Sequence, residues 1–152
     1  MALHTGSTAT TLVRSPAMGR TSTVCGMTLT TRVSSAETAG HVALIETTLP
    51  PYWDGAAPHA HAHTTEVIYV VSGTLACILD DTTTTASHGT SILIPPRAVH
   101  TVWNPAAAPA TYLTWRSPGS VERYCEACAA YNAAGPVQTP APQHRCAALS
   151  TE

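Results

Sequence analysis

Four side chains in this sequence have the types and spacing to share one cation. His59 and His61 are two residues apart, Glu66 lies five residues beyond His61, and His100 arrives thirty-four residues later. On an extended strand, residues two apart point the same way with Cα atoms about 6.6 Å apart, so two imidazoles there can converge on one ion. Glu66 has the wrong parity to share a straight strand with them. A turn at Thr64-Thr65 would place it on the neighbouring strand, beside the pair. His100 follows the Pro95-Pro96 kink. Three imidazoles and a carboxylate form a borderline-hard set suited to one divalent transition metal ion, Fe, Mn, Ni, Cu or Zn, with positions left open for water or substrate. A structural zinc site would be closed and richer in Cys. Glu66 serves as the fourth ligand or stays beside the ion as a base.

Further residues around this group are candidates for a substrate pocket. His63 shares strand parity with the His pair, so it is a substitute ligand, a proton relay or a residue at the pocket mouth. Tyr52 and Trp53 either lid the pocket and stack on a planar substrate or pack a barrel end. Arg97 either orients an anionic group or forms a rim salt bridge. Trp115 and Tyr112 are core or pocket wall.

The elements that must position these residues read as strands. Short apolar runs recur with turn residues between them: Thr21-Thr31, His41-Leu49, His59-His63, Glu66-Val71, Thr74-Leu79, Thr82-Ala86, Thr90-Ile94, Val99-Trp103 and Thr111-Arg116. Many short strands at this spacing indicate an all-β sandwich or barrel. Pro118-Gly119 then opens a short helix over about Val121 to Tyr131. The expected organisation is an N-terminal tail over 1–11, one domain over 12–132, and a loose C-terminal tail over 133–152. Val67-Ile68-Tyr69-Val70-Val71 is apolar on both alternating faces, so its outer face needs cover, from the helix or from a second subunit. A homodimer is expected.

The middle of the chain resembles the cupins. Their first motif, G-x5-H-x-H, three or four residues, E, six residues, G, is met by His59-Ala60-His61, Glu66 and Gly73. Their second, G-x5-P-x-G-x2-H-x3-N, is met by Gly89, Pro95, His100 and Asn104. The fifteen residues between Gly73 and Gly89 fit the family. Trp53 falls where the first motif has its leading Gly, and Arg97 replaces the Gly between Pro95 and His100. The resemblance covers residues 12–130. It implies a double-stranded β-helix, the jelly-roll barrel, with His59, His61, Glu66 and His100 as metal ligands. Ser117-Pro118-Gly119 and Glu122-Arg123-Tyr124 also resemble small single-domain cupins of the quercetin-dioxygenase-like kind.

The leading expectation is therefore a metal-dependent enzyme acting on a small aromatic or enolisable substrate by dioxygenase-like, quercetinase-type chemistry, with Glu66 as catalytic base. A non-oxidative polyketide cyclase or isomerase is the alternative, and a small-molecule-binding cupin without turnover the third. A net charge of -2, with seven Arg and no Lys, excludes a basic surface for nucleic acid. No apolar run is long enough to span a membrane. No secretory signal is apparent, so a cytoplasmic setting with the five cysteines as thiols is expected, and Cys125-x-x-Cys128 reads as two small residues on a helix face rather than a redox pair.

Overall fold

The protein is described by a computed structural model over residues 10–119. The helix expected near Val121–Tyr131, the tail over 133–152 and residues 1–9 lie outside the described residues. Nine strands run in chain order: β1 (Arg20–Val24), β2 (Met27–Val33), β3 (Ala43–Leu49), β4 (Thr65–Ser72), β5 (Thr74–Leu79), β6 (Thr82–Ser87), β7 (Ser91–Ile94), β8 (His100–Trp103) and β9 (Ala110–Ser117). A 3-10 turn at Ser35–Thr38 is the one helical element among the described residues. Two antiparallel sheets result, one of six strands in the order β1-β2-β3-β9-β4-β7 and one of three in the order β6-β5-β8. This is the all-β architecture expected from the strand spacing, in the jelly-roll form that the family resemblance implies.

Alternation of residue type drives the strands. In β3, Ala43, Ile45, Thr47 and Leu49 are buried while Leu44, Glu46 and Thr48 lie at the outer face. In β9, Ala110, Tyr112, Thr114 and Arg116 are buried and Trp115 is exposed. Inward residues of both sheets, among them Met27, Leu29, Ile45, Ile68, Val70, Leu75 and Cys77, form one apolar cluster. The burial of this cluster is the main stabilising term, since each fully buried aliphatic side chain contributes roughly 1.5–3 kcal/mol.

Two expectations are corrected. Thr21–Thr31 is not one strand but the β1–β2 hairpin, closed by Cys25 (φ 48) and Gly26 (φ 82) between the paired Val24 and Met27. Positive φ at both loop residues is what a tight two-residue hairpin requires. His59–His63 is not a strand: it forms only an isolated antiparallel bridge, His59 to His100. The segment emerges from a loop carrying Pro50, Pro51 and Pro58, which cannot donate to a ladder. The cysteines also depart from the all-thiol expectation. Cys25 is disulfide-bonded, whereas Cys77 is a free buried thiol. No helix of the described residues is long and apolar enough to cross a membrane.

Candidate metal centre

Three strands and one strapped loop bring the site together. His100 opens β8 and sits between Leu79 of β5 on one side and His59 on the other. The bridge is reciprocal: the His59 N–H donates to the His100 carbonyl at 3.0 Å, and the His100 N–H donates back at 2.8 Å. The His61 carbonyl accepts from the Arg97 N–H at 2.8 Å. An irregular segment is thereby held in register with β8 by its backbone, without belonging to a sheet.

The second-motif residues build this strap. Arg97 has φ 72, the left-handed region that favours glycine, so the backbone bend of the family pattern survives its replacement by Arg. The close approach at the loop is made by Gly55 (φ 93), where a Cβ would come 2.8 Å from the Val102 carbonyl oxygen. Gly55 thus fills the role left open at Trp53. The buried Asn104 side chain donates to the carbonyls of Pro50 at 2.9 Å and Ala108 at 2.8 Å, and its backbone N–H donates to the Trp53 carbonyl. Its role here is to tie the loop before the histidines to the turn after β8.

The imidazoles of His59, His61 and His100 converge, with one ligand atom from each lying within 4.8 Å of the others. Ring centroids are 4.5 Å apart for His59–His100, 5.1 Å for His59–His61 and 5.3 Å for His61–His100. The His59 Nδ1 lies 3.0 Å from the Ala57 carbonyl and the His100 Nδ1 2.9 Å from the Ala98 carbonyl. A carbonyl only accepts, so in each neutral ring Nδ1 carries the proton and Nε2 presents its lone pair. Burial, the largest cause, lowers the pKa of His59 and of His100, keeping both rings neutral.

Glu66 enters from β4, buried, with Oε2 3.4 Å from His61 Nε2 and 3.9 Å from His100 Nε2. Directly across the β4–β9 ladder is Arg116, whose Nη2 lies 3.1 Å from the same oxygen. Burial alone would raise the Glu66 pKa, but the Arg116 charge and the two histidines more than offset it and hold it at about 2. The buried Tyr112 hydroxyl is pushed up to about 12, by burial first and by the Glu66 charge second. His61 Nε2, His100 Nε2 and Glu66 Oε2 are all buried without a hydrogen-bond partner. Polar atoms buried side by side without hydrogen bonds are costly in a dry interior, and a cation among them would satisfy the two nitrogens and share with Arg116 the carboxylate oxygen that its guanidinium already faces. The donor set therefore fits a divalent metal.

A cavity of about 50 Å³ opens inward from this group. Its lining sets His59, Glu66, His100, Tyr112, Arg116 and three threonines, Thr47, Thr101 and Thr114, among apolar residues that include Trp53. Of the residues expected in a substrate pocket, Trp53 lies there, with its indole N–H donating to the Cys25 carbonyl at 2.9 Å. The others do not. Tyr52 is 66% exposed, His63 and Arg97 are exposed on the loop and the strap, and Trp115 points outward from β9. Strand parity explains Trp115, and the absence of a strand at His59–His63 removes the parity that had aligned His63. Sequence reasoning missed Arg116, Thr114 and Thr47. Their signal was present, since Tyr112 inward on β9 puts Thr114 and Arg116 inward too.

A closed pair of β-sheets with convergent imidazoles and a buried carboxylate inside defines a small barrel protein built around an internal polar site. Residues 45–116 match the family profile described as Cupin domain, so this segment of the chain is a cupin domain. A RmlC-like cupin from Shewanella frigidimarina is 15% identical with a TM-score of 0.63, covering 75% of this chain and 96% of that one. A predicted oxalate decarboxylase from Thermotoga maritima is 15% identical with a TM-score of 0.62, covering 70% and 98%. The polyketide cyclase RemF from Streptomyces resistomycificus is 18% identical with a TM-score of 0.63, covering 72% and 80%. At such identities these likenesses establish the fold alone. No curated protein matches the sequence.

Proposed function

We propose that this cupin is a metal-dependent enzyme acting on a small aromatic or enolisable substrate, with dioxygenase-like chemistry as the first reading. The observation that carries it is the convergence of His59, His61 and His100 within 4.8 Å beside the buried Glu66 carboxylate, with the rings of His59 and His100 oriented by Nδ1–carbonyl contacts. A divalent ion held there supplies Lewis acidity toward substrate oxygens and, where redox-active, an electron path to O2. His59, His61 and His100 are its proposed ligands, with Glu66 as a fourth ligand or as base. Glu66 is ionised at neutral pH and so can take a proton, but it is a weak acceptor while Arg116 holds it.

The cavity limits what enters. At about 50 Å³ it has room for only a few waters. The chelating end of a substrate fits, and the rest of an aromatic body must lie toward the mouth. Trp53 is the aromatic residue of the loop placed to meet it.

One observation favours the second reading, a non-oxidative cyclase or isomerase. Tyr112 keeps its proton to about 12 and lines the cavity near Glu66, so the wall offers a neutral donor opposite an ionised acceptor. Metal analysis of protein prepared without added metal, followed by O2 uptake with flavonols, diketones and aromatic polyketides, separates the two. Iron, manganese, nickel or copper with O2 uptake supports the dioxygenase. Zinc with product formation and no O2 uptake supports the cyclase or isomerase. Protein that holds metal but turns over nothing in the panel leaves the binding-only role as the better reading.

We also propose that two copies pair through the outer face of the six-stranded sheet. The register lines up Val33, Leu44, Trp115, Val67 and Leu93 in one row across β2, β3, β9, β4 and β7. Five strands at about 4.8 Å spacing make that row roughly 19 Å long. Trp115 is 50% and Leu93 67% exposed. The charges on and beside this face pair off, Arg32 with Glu46 at 3.0 Å and Arg14 with Glu37 next to Val33 and Leu44, so an identical copy meets little net like-charge repulsion. A cytoplasmic location is part of the same reading, although a reducing compartment would open the Cys25 disulfide.

A further inference from the structure

We propose that Arg116 is a positioning residue that competes with the metal for the Glu66 carboxylate, making Glu66 a detachable fourth ligand rather than a fixed one. The inference rests on the metal-centre reading above. Its basis is the placement of one carboxylate oxygen within reach both of the imidazoles and of a guanidinium. Glu66 Oε2 faces His61 Nε2 at 3.4 Å and His100 Nε2 at 3.9 Å on one side, and Arg116 Nη2 at 3.1 Å on the other. The group whose ligand atoms already lie mutually within 4.8 Å is His59, His61 and His100, without Glu66. The three imidazoles are pre-arranged for an ion, whereas the carboxylate rests on the guanidinium.

That resting place is built into the sheet. Glu66 and Arg116 are direct partners in the β4–β9 register, so their Cβ atoms are fixed about 5 Å apart on the inner face. Both side chains are nearly buried, at 5% and 11% exposure, so neither can turn to water instead. The carboxylate has two seats within a small rotation of its side chain, and the fold supplies the second. Competition follows from charge alone: the guanidinium already neutralises the carboxylate, which makes it a poorer donor to a second cation. The functional consequence is an extra coordination position that opens when Glu66 returns to Arg116, where a chelating substrate can place an oxygen.

Arg116 and metal then act on one carboxylate with opposite signs, which a residue of purely structural role does not do. Arg116→Met keeps the apolar stem and removes the charge. In the metal-free protein it leaves Glu66 buried and unpaired, so the melting temperature falls. An added ion now relieves that unpaired charge, so Co2+ binds about tenfold tighter than in the unaltered protein, the usual size of a coupling between two sites. The measurement is titration of full-length protein with Co2+ at fixed pH, followed by visible absorption, with melting curves taken in parallel. Arg116→Lys, which keeps the charge, should restore near-original affinity, and Arg116→Gln, which removes the charge but keeps a polar end, serves as the charge-free variant if Arg116→Met does not fold. In a Glu66→Gln background the effect of Arg116→Met on Co2+ affinity should vanish. Affinity that is unchanged or weaker in Arg116→Met overturns the inference, as does an effect that persists without Glu66, or Arg116→Lys binding Co2+ as tightly as the charge-free variant. An unaltered protein that takes up no Co2+ overturns the metal centre itself, and this inference with it. Uptake that is indifferent to Arg116 sinks the inference alone.

Discussion

The two faces of the six-stranded sheet are drawn from the same strands, one residue out of step, and where Glu66 pairs with Arg116 they depart from the ordinary distribution of polarity. Inside, β4 and β9 present Glu66, Thr114 and Arg116 beside Ile68 and Tyr112. Outside, the same strands present Val67, Tyr69, Leu113 and Trp115. An antiparallel sheet with one wet face normally turns its apolar residues inward. A charged pair placed inward has to be tolerated for a reason other than core packing, because burying it costs more than an apolar pair of the same volume. An apolar row placed outward likewise asks for cover. The two proposed functions divide the sheet in the same way, chemistry on the inner face and association on the outer.

The largest effect that tests the inner face is loss of the ion. His61→Ala removes one of three converging imidazoles from a segment that belongs to no strand. Metal content is expected to fall to background while the far-ultraviolet circular dichroism spectrum stays nearly unchanged. A variant that unfolds instead would make the site a structural clamp, and the contrast between the faces would lose its chemical half.

A smaller effect sharpens the contrast between like pairs on opposite faces. Arg116–Glu66 is buried, whereas Arg32–Glu46 joins β2 and β3 on the outer side with 19% and 33% of the side chains exposed. Breaking a buried pair from one side leaves an uncompensated charge, so Arg116→Met should destabilise the metal-free protein by about 3 kcal/mol or more. Arg32→Met should cost less than about 1 kcal/mol, and less again at high salt. Urea denaturation of the two variants measures both. Equal losses would mean that burial does not distinguish the faces.

Much of this was legible in the sequence, and what was not has physical causes. Seven of the nine strands, β3 to β9, followed from period-two patterning and from Gly, Pro and Asp punctuation, whereas the β1–β2 hairpin was read as one strand and His59–His63 as a strand it does not form. Convergence of the histidines followed from the paired motif, but the reason for it did not. The spacing of His59 and His61 reads as strand parity, while the structure holds them by a backbone bridge to His100 and by the Arg97–His61 bond. Loop geometry set by long-range partners leaves no local period. Arg116 is the opposite case. It stands in a run that alternates cleanly, and parity with Tyr112 places it inward, yet a cation is ordinarily read as a surface residue. Only the cross-strand partner, Glu66, gives the exception its reason. Tyr52 and Arg97 were expected at the pocket for their chemistry, and both lie exposed in turns that alternation cannot orient.

The outer face yields the test with no expected effect on the ion. Trp115 stands in the middle of the five-strand row, flanked in register by Leu44 and Val67. An aspartate there would put a charge into the centre of a self-paired surface, opposite or near its own copy, where both the lost aromatic area and the unpaired charge oppose association. Trp115→Asp is expected to halve the mass measured by light scattering. Its Co2+ affinity should equal that of the unaltered protein, because the side chain points away from the cavity lined by its neighbours Thr114 and Arg116. Should the unaltered protein already have the mass of one chain, the apolar row is not a dimer face. Should Trp115→Asp lose metal as well, the two faces are energetically coupled through β9, and dividing the sheet into a chemical side and an associating side would be wrong.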